Sequence, residues 1–397
     1  FSFDRSLRAL EVGCGCGAIT LFLGETFDAV VAVEGSMNRA RIARARTRDL
    51  SSVSILCAPF QDVRFVHKFD IIFCIGVLEY SSSFVDAPDP YDAVLQYLSE
   101  LLSPDGVLVL AIENQFGLKY FCGAAEDHLG IPFAGLEGYH RRAARVRTFG
   151  KVELDTRLRR HFQDTQFYYP YPDYKIPDVV VNSAFLGSGR ATELISQTRS
   201  RDYTGRDRSL WSESATVFEL SRNASLDFFA NSFLVIASRG GGLSVSFPQQ
   251  AVFFSANRRP PFRTVTRVVA SGDGQLTVHK TAIDGGVAVE QDGLRLSAST
   301  SEWIDAHSLQ TTLLLAAQRG GQDLDQVFSI CQPWLALLRG DASRDGDAWT
   351  LSGAHVDSTW RNAYVADGRC RIVDREWTWR EPIALNVVVF RSIHAFL

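Results

Sequence analysis

An α/β fold, with parallel strands alternating with helices, is what this 397-residue sequence predicts for its N-terminal part. Three observations carry that reading. An apolar run closes in the glycine-rich turn Leu10-Glu-Val-Gly-Cys-Gly-Cys-Gly17. A helical segment leads from there to a second apolar strand, Val31-Ala-Val-Glu34, which stops at a carboxylate. Further apolar segments then recur with helices and turns between them, as buried parallel strands do whatever they bind.

The order strand, glycine turn, helix, strand, acid is that of half a Rossmann nucleotide site. Glycine lets the backbone turn sharply and approach a ligand where a Cβ would clash. Glu34, at the tip of the second strand, is placed to accept hydrogen bonds from two ribose hydroxyls. Two cofactor classes fit the loop itself. Read through Gly13, Gly15 and Ala18 it matches a dinucleotide fingerprint, which would make the protein a dehydrogenase. Read through Glu11, Gly13, Gly15 and Gly17 it has the form E-x-G-x-G-x-G.

The downstream order separates the two. Val53-Ser-Ile-Leu-Cys-Ala-Pro-Phe60 reads as a third strand and turn, and Phe69-Asp-Ile-Ile-Phe-Cys-Ile-Gly-Val-Leu-Glu-Tyr80 as a fourth strand entering a loop. A helix over Tyr91–Leu102, the turn Ser103-Pro-Asp-Gly106 and a strand over Val107–Ile112 complete a fifth unit. In this order the segments resemble the class I S-adenosylmethionine-dependent methyltransferases, with Tyr80 where the family usually has His. The resemblance implies a Rossmann-like domain with a mostly parallel seven-stranded sheet and S-adenosyl-L-methionine as cofactor. It implies that Glu11, Gly13, Gly15, Gly17 and Glu34 surround the cofactor. Ala58 and Phe60 would flank the adenine, and Ile75 and Glu79 would lie toward the methionine end.

Beyond the fifth strand, where ligands of parallel sheets bind, Glu113, Asn114, Lys119, Tyr120, Glu126, Asp127 and His128 crowd into sixteen positions. With Phe167-Tyr-Tyr-Pro-Tyr-Pro-Asp-Tyr174, this stretch resembles methyltransferase domains of cell-surface polysaccharide gene products, which accompany glycosyltransferases. That resemblance implies a small-molecule or sugar-type acceptor and a glycosyltransferase partner. If the nucleophile is a hydroxyl, its proton must leave to a nearby carboxylate or imidazole. Glu113 and His128 are the candidates, each of them equally open to a positioning role. Two local features have plainer readings. Cys14 and Cys16 lack a second ligand pair and read as small loop residues rather than metal ligands. The basic run between His140 and His161 reads as a solvated helical face or as a patch for an anionic acceptor.

A last strand over Ala230–Ala237 and a linker at Arg239-Gly-Gly-Gly242 set the expected domains at 1–240 and 248–397. The second contains the strand Gln275-Leu-Thr-Val-His-Lys280, helical stretches over Glu302–Leu338, His355-Val-Asp-Ser-Thr-Trp-Arg-Asn362 and Arg371-Ile-Val-Asp-Arg-Glu-Trp377. H-x-D followed by Asn and then by a strand ending in Asp resembles the catalytic and metal loops of kinase-like phosphotransferases, with an ending closer to aminoglycoside and choline phosphotransferases. The resemblance implies an incomplete α+β kinase-like domain using ATP and Mg²⁺. Asp357 would take the hydroxyl proton, Asn362 and Asp374 would hold Mg²⁺, and Lys280 would touch phosphates. Phe253–Thr266 has no glycine cradle, and no partner Glu for Lys280 stands out.

Composition narrows the classes. A chain of this length exceeds one ordinary core. Its longest apolar runs fall short of the roughly 18 residues a membrane helix requires. Seven cysteines, an odd number without framework spacing, read as reduced thiols of a cytoplasmic protein. A net charge of −4 gives no support to nucleic-acid binding. Two functional classes remain open beside the dehydrogenase. One is an enzyme, a methyltransferase or a bifunctional methyltransferase/phosphotransferase. The other is a non-catalytic nucleotide-binding scaffold in a polysaccharide assembly complex.

Overall fold

The computed structural model describes residues 3–139, 145–203, 205, 210–240, 248–255, 257–283, 288–320, 323–346 and 348–396. The chain divides into two compact units: Phe1–Gly189 with Thr198–Pro248, and Arg190–Gln197 with Gln249–Leu397.

The first unit is built on β1 (Arg8–Val12), β2 (Ala29–Glu34), β3 (Val53–Cys57), β4 (Phe69–Ile75), β5 (Leu102–Glu113), β6 (Asp164–Tyr171), β7 (Val179–Asn182) and β8 (Ser232–Ser238). Within the unit the strand order is β3-β2-β1-β4-β5-β8-β6-β7. β1 to β5 pair in parallel, while β8, β6 and β7 add antiparallel strands. Among its described residues the unit therefore has eight strands, five of them parallel, rather than the expected seven. The addition is β7, a four-residue apolar strand too short to stand out from its loop by periodicity.

The central strands are apolar because both faces are covered: Ala9, Leu10, Ile71, Ile72, Leu108 and Leu110 have no exposed surface. The helices α1 (Ala18–Thr26), α2 (Met37–Arg46) and α3 (Pro90–Leu101) serve as crossovers. α3 begins as its sequence dictates. Asp89 accepts from the Asp92 N–H at 3.1 Å, Pro90 opens the first turn, and Val94, Leu95 and Leu98 are buried. The turn expected at Ser103–Gly106 is absorbed into β5. Pairing with β4 jumps from Leu102 to Val107, so the four residues bulge from the ladder. β1 lies between β2 and β4, which makes its carboxyl end the switch point where such sheets bind ligands.

The second unit is α+β. Its strands β9 (Gln249–Phe254), β10 (Thr264–Ala270) and β11 (Leu276–Ala282) pair antiparallel. β12 (Ala288–Gln291) and β13 (Leu294–Ser297) form a hairpin, and β14 (Ser299–Glu302) pairs with β11. The helical stretch expected from Glu302 starts later, because that residue ends β14. Helices run over Leu309–Gln318, where Ser308 accepts from the Thr311 N–H, and over Leu324–Asp341. Trp334, Leu338, Leu351 and Val388 anchor the unit's core. No helix among the described residues is long and apolar enough to cross a membrane, and all seven cysteines are free.

Candidate functional site

β1 ends at Val12, and the chain turns at once through left-handed glycines, with φ of +71° at Gly13, +54° at Gly15 and +78° at Gly17. Their surroundings differ. A Cβ on Gly13 would sit 2.5 Å from Val77 Cγ2, and one on Gly17 would sit 2.7 Å from the Ala43 Cα. A Cβ on Gly15 would meet nothing within 4 Å. Gly13 and Gly17 thus close the loop onto its neighbours, and Gly15 faces open space.

Glu34 ties the loop together. It is 3% exposed, with Oε2 accepting from the Gly15 N–H at 2.9 Å and Oε1 from the Ser36 N–H at 2.8 Å. Arg39 Nη2 adds an ion pair at 2.8 Å. The residue the sequence assigned to a ribose also anchors the loop internally. Glu11 is buried beneath, accepts from Thr20 Oγ1 at 2.6 Å, and burial pushes its pKa up to about 7. Burial, with Glu11 nearby, pushes the Cys14 thiol up to about 12, which makes it unreactive. Cys16 is exposed.

On the adenine side of the expected site, the Ala58 N–H donates to the Glu34 carbonyl at 3.2 Å. Phe60 is buried, its ring against Phe84 at 5.3 Å and Tyr97 at 6.0 Å. Ile75, half-buried, ends β4 before Gly76, where a Cβ would come 2.6 Å from Tyr174 Oη.

Glu79, Glu113 and His128, separate in sequence, converge beyond the carboxyl ends of β4 and β5. His128 Nε2 lies 3.7 Å from Glu79 Oε1 and 3.7 Å from Glu113 Oε2. Its Nδ1 meets Glu126 Oε1 at 2.9 Å, and Tyr80 packs edge-on to its ring. Glu113 has no exposed surface, and its Oε1 binds Lys175 Nζ at 2.6 Å and accepts from Tyr174 Oη at 3.4 Å. Asp127 bridges Lys175 at 2.9 Å and the buried Lys119 at 2.8 Å. The acids Glu79, Glu113, Glu126 and Asp127 thus face the cations Lys119, Lys175 and His128.

Burial raises the Glu79 pKa. Burial opposes charge on His128, but the carboxylates of Glu126, Glu79 and Glu113 outweigh it and hold its pKa at about 10. As an imidazolium the ring would have no lone pair for a substrate proton, so only its neutral form could act as the base that the sequence proposes. Lys175, which sequence reasoning missed, follows the aromatic run directly. That position was the one available signal. Asn114, by contrast, is structural, its amide donating to the Phe228 and Ala230 carbonyls at 2.7 Å.

Five cations of the basic run are neutralised locally. Arg147 and Arg157 pair with Glu153, Arg157 also with Asp89, Arg159 with Asp155, Arg160 with Asp92, and Lys151 with Asp227. His140, Arg141 and Arg142 lie outside the described residues.

In the second unit, Lys280 bonds the Asp374 carboxylate and lies 3.1 Å from Glu376 Oε1. Glu376, missed as a partner, is buried and also held by Arg258 at 2.6 Å. Asn362 Nδ2 donates to Asp357 Oδ2 at 3.0 Å, and burial raises the Asp357 pKa. The hairpin Ala363–Ala366 with Arg369–Ile372 separates Asn362 from Asp374, and Asp374 sits at φ +57°.

Comparison with known proteins bears on the first unit. A family model described as "Methyltransferase domain" matches residues 10–108. A malonyl-[acyl-carrier protein] O-methyltransferase of Bacillus cereus is 27% identical over 123 residues, 30% of this chain and 42% of that protein. The chain thus spans less than half the length of that relative. Among solved structures, the N-methyltransferase NodS of Bradyrhizobium japonicum with S-adenosyl-L-homocysteine is 21% identical, with 28% of this chain and 55% of NodS covered and a TM-score of 0.26. A putative methyltransferase in complex with the Haloferax volcanii Trm112 activator is 16% identical, with 60% and 84% covered and a TM-score of 0.37. Both likenesses are distant in sequence and geometry. Residues 10–108 are thus similar to a methyltransferase domain.

Proposed function

We propose that the first unit transfers a methyl group from S-adenosyl-L-methionine to an oxygen of a small-molecule or sugar-type acceptor. One observation carries this reading: three left-handed glycines at the carboxyl end of β1 are tied to Glu34 by a hydrogen bond from Gly15. The cofactor would lie over that loop, against Glu11, Gly13, Gly15, Gly17 and Glu34, with Ala58 and Phe60 toward the base and Ile75 toward the methionine. Methyl transfer is an in-line displacement in which the cofactor supplies the electrophile and the protein supplies orientation and a proton acceptor. Glu113, whose Oε2 is buried and has no hydrogen-bond partner, is the acceptor-side carboxylate, with Glu79 beside it. The bacterial relative, named an O-methyltransferase, supports an oxygen nucleophile. Aromatic and polar side chains together suit a sugar, which keeps cell-surface polysaccharide synthesis and a glycosyltransferase partner within the proposal.

Calorimetric titration with S-adenosyl-L-methionine tests it. Micromolar binding, weakened roughly 10- to 100-fold in Glu34→Ala by loss of charge-assisted hydrogen bonds, supports the reading. No binding to folded protein refutes it. Binding without turnover on any hydroxyl or carboxylate acceptor favours the non-catalytic scaffold.

A second reading concerns the other unit. The contact of Lys280 with Asp374, across the hairpin that follows Asn362, supports a kinase-like nucleotide site and a bifunctional protein. Asn362 and Asp374 would hold Mg²⁺, and Asp357 would face the acceptor hydroxyl. ATP binding lost in Asp374→Asn supports it, and unchanged binding refutes it.

A further inference from the structure

We propose that Glu79, Glu113 and His128 bind one divalent transition-metal cation, of the Mn²⁺ or Zn²⁺ kind, which holds the acceptor oxygen during methyl transfer. One ligand atom from each residue lies within 4.8 Å of the others. The separations of 3.7 Å from Nε2 to Glu79 Oε1 and to Glu113 Oε2 exceed a hydrogen bond. They are close to the roughly 3.4 Å expected between donors that share an ion at about 2.1 Å.

A second observation is independent of that spacing. Glu113 has no exposed surface, yet its Oε2, the oxygen that faces His128, has no hydrogen-bond partner, and in the buried Glu79 it is the oxygen beside the one that faces His128, Oε2, that has none. Buried carboxylate oxygens without partners are costly and require a reason. Lys175 and Tyr174 occupy Glu113 Oε1, which leaves Oε2 toward His128.

The surroundings of the imidazole give a third. Glu126 Oε1 lies 2.9 Å from Nδ1, and the other oxygen of that carboxylate, Oε2, accepts from the N–H groups of His128 at 2.9 Å and Leu129 at 2.7 Å. A carboxylate that accepts from Nδ1 turns the Nε2 lone pair toward the two other carboxylates, the arrangement that orients histidine ligands to metals. Two carboxylates with one imidazole suit first-row transition ions better than Ca²⁺ or Mg²⁺. Three protein ligands leave positions for an acceptor oxygen, whose proton a bound cation makes easier to release to water. This use of the cation rests on the methyl-transfer reading. The binding itself rests on the cluster alone, and it assigns Glu79 to the cation rather than to the cofactor and Glu113 Oε2 to the cation rather than to the acceptor's proton.

The test is Mn²⁺ titration of the chelator-treated full chain, followed by paramagnetic resonance, with S-adenosyl-L-methionine titrated into the same samples. An Asp374→Asn background removes the carboxylate from the second unit's candidate ligand pair. The expected result is one Mn²⁺ per chain in that background, weakened at least 100-fold by Glu113→Gln, with nitrogen modulation from His128 in the spin-echo spectrum. The spectrum needs no cluster variant, so a Glu113→Gln protein that fails to fold does not remove the test. Absence of Mn²⁺ and Zn²⁺ binding, equal binding in Glu113→Gln, or a spectrum without nitrogen coupling overturns the inference. Cofactor binding without cation binding defeats this inference alone, and cation binding without cofactor binding defeats the methyl-transfer reading alone.

Discussion

The glycine loop and the carboxylate–imidazole cluster belong to the same unit, at the ends of neighbouring strands, and are built in opposite ways. The loop is local. Gly13 to Glu34 span one strand–helix–strand unit, and backbone N–H groups supply most of its bonds. The cluster gathers side chains from Glu79 to Lys175, each held by another charged group. A local site depends on the sign of φ and on space for backbone, whereas a convergent site depends on buried charges finding partners. Each should therefore fail in its own way.

The largest effect is expected in the cluster. Lys119 and Asp127 are 1% and 2% exposed at their side chains. Lys119→Met leaves a buried carboxylate short of one counter-charge and should cost about 3–5 kcal/mol in urea unfolding. A loss below about 1 kcal/mol would mean that Lys175 alone balances Asp127.

Next comes Glu11, buried under the loop. Its folded pKa of about 7 lies above the ordinary 4.5, so the folded state keeps its proton longer than the unfolded chain. Its contribution to stability is intact below about pH 4.5, declines as pH rises, and is lost above pH 7, by roughly 3 kcal/mol in all. Unfolding curves from pH 5 to 8, wild type against Glu11→Gln, should diverge in that direction. Parallel curves would show that the burial of Glu11 is relieved by another group.

The loop's own glycines give a smaller, sharper contrast. Gly17→Ala meets left-handed strain and the Ala43 backbone and should cost about 2–3 kcal/mol. Gly15→Ala carries the strain alone, about 1 kcal/mol, yet should weaken cofactor binding at least tenfold because its Cβ enters the space the ligand needs. Equal melting shifts for the two would break the distinction between packing glycine and ligand glycine. The smallest effect belongs to Arg159→Ala. Its side chain is 53% exposed and its pair with Asp155 is worth less than about 1 kcal/mol.

Sequence reading reached the loop and the first five strands because their signals are short-range. Apolar runs mark strands buried on both faces, and alternate glycines mark a turn needing positive φ. It reached Glu113 and His128 as members of a dense polar segment, without the geometry that sets their roles. Lys175 and Glu376 went unremarked because a lone charged residue beside an aromatic run has no periodicity to betray its partner.

The amino-acid order alone determined the succession of the first five strands and the residues of the glycine loop, since these depend on backbone sterics and on hydrophobic pattern over a few residues. Folding in three dimensions settled what no window of sequence contains. It adds β7 as an eighth strand, turns Glu34 inward onto Gly15, and brings Lys280 to Asp374 and Glu376. It also sets His128 against three carboxylates. Burial is the physical reason. A charge withdrawn from water must find its counter-charge or hydrogen bond wherever the chain delivers one, and that delivery is a property of the packed fold.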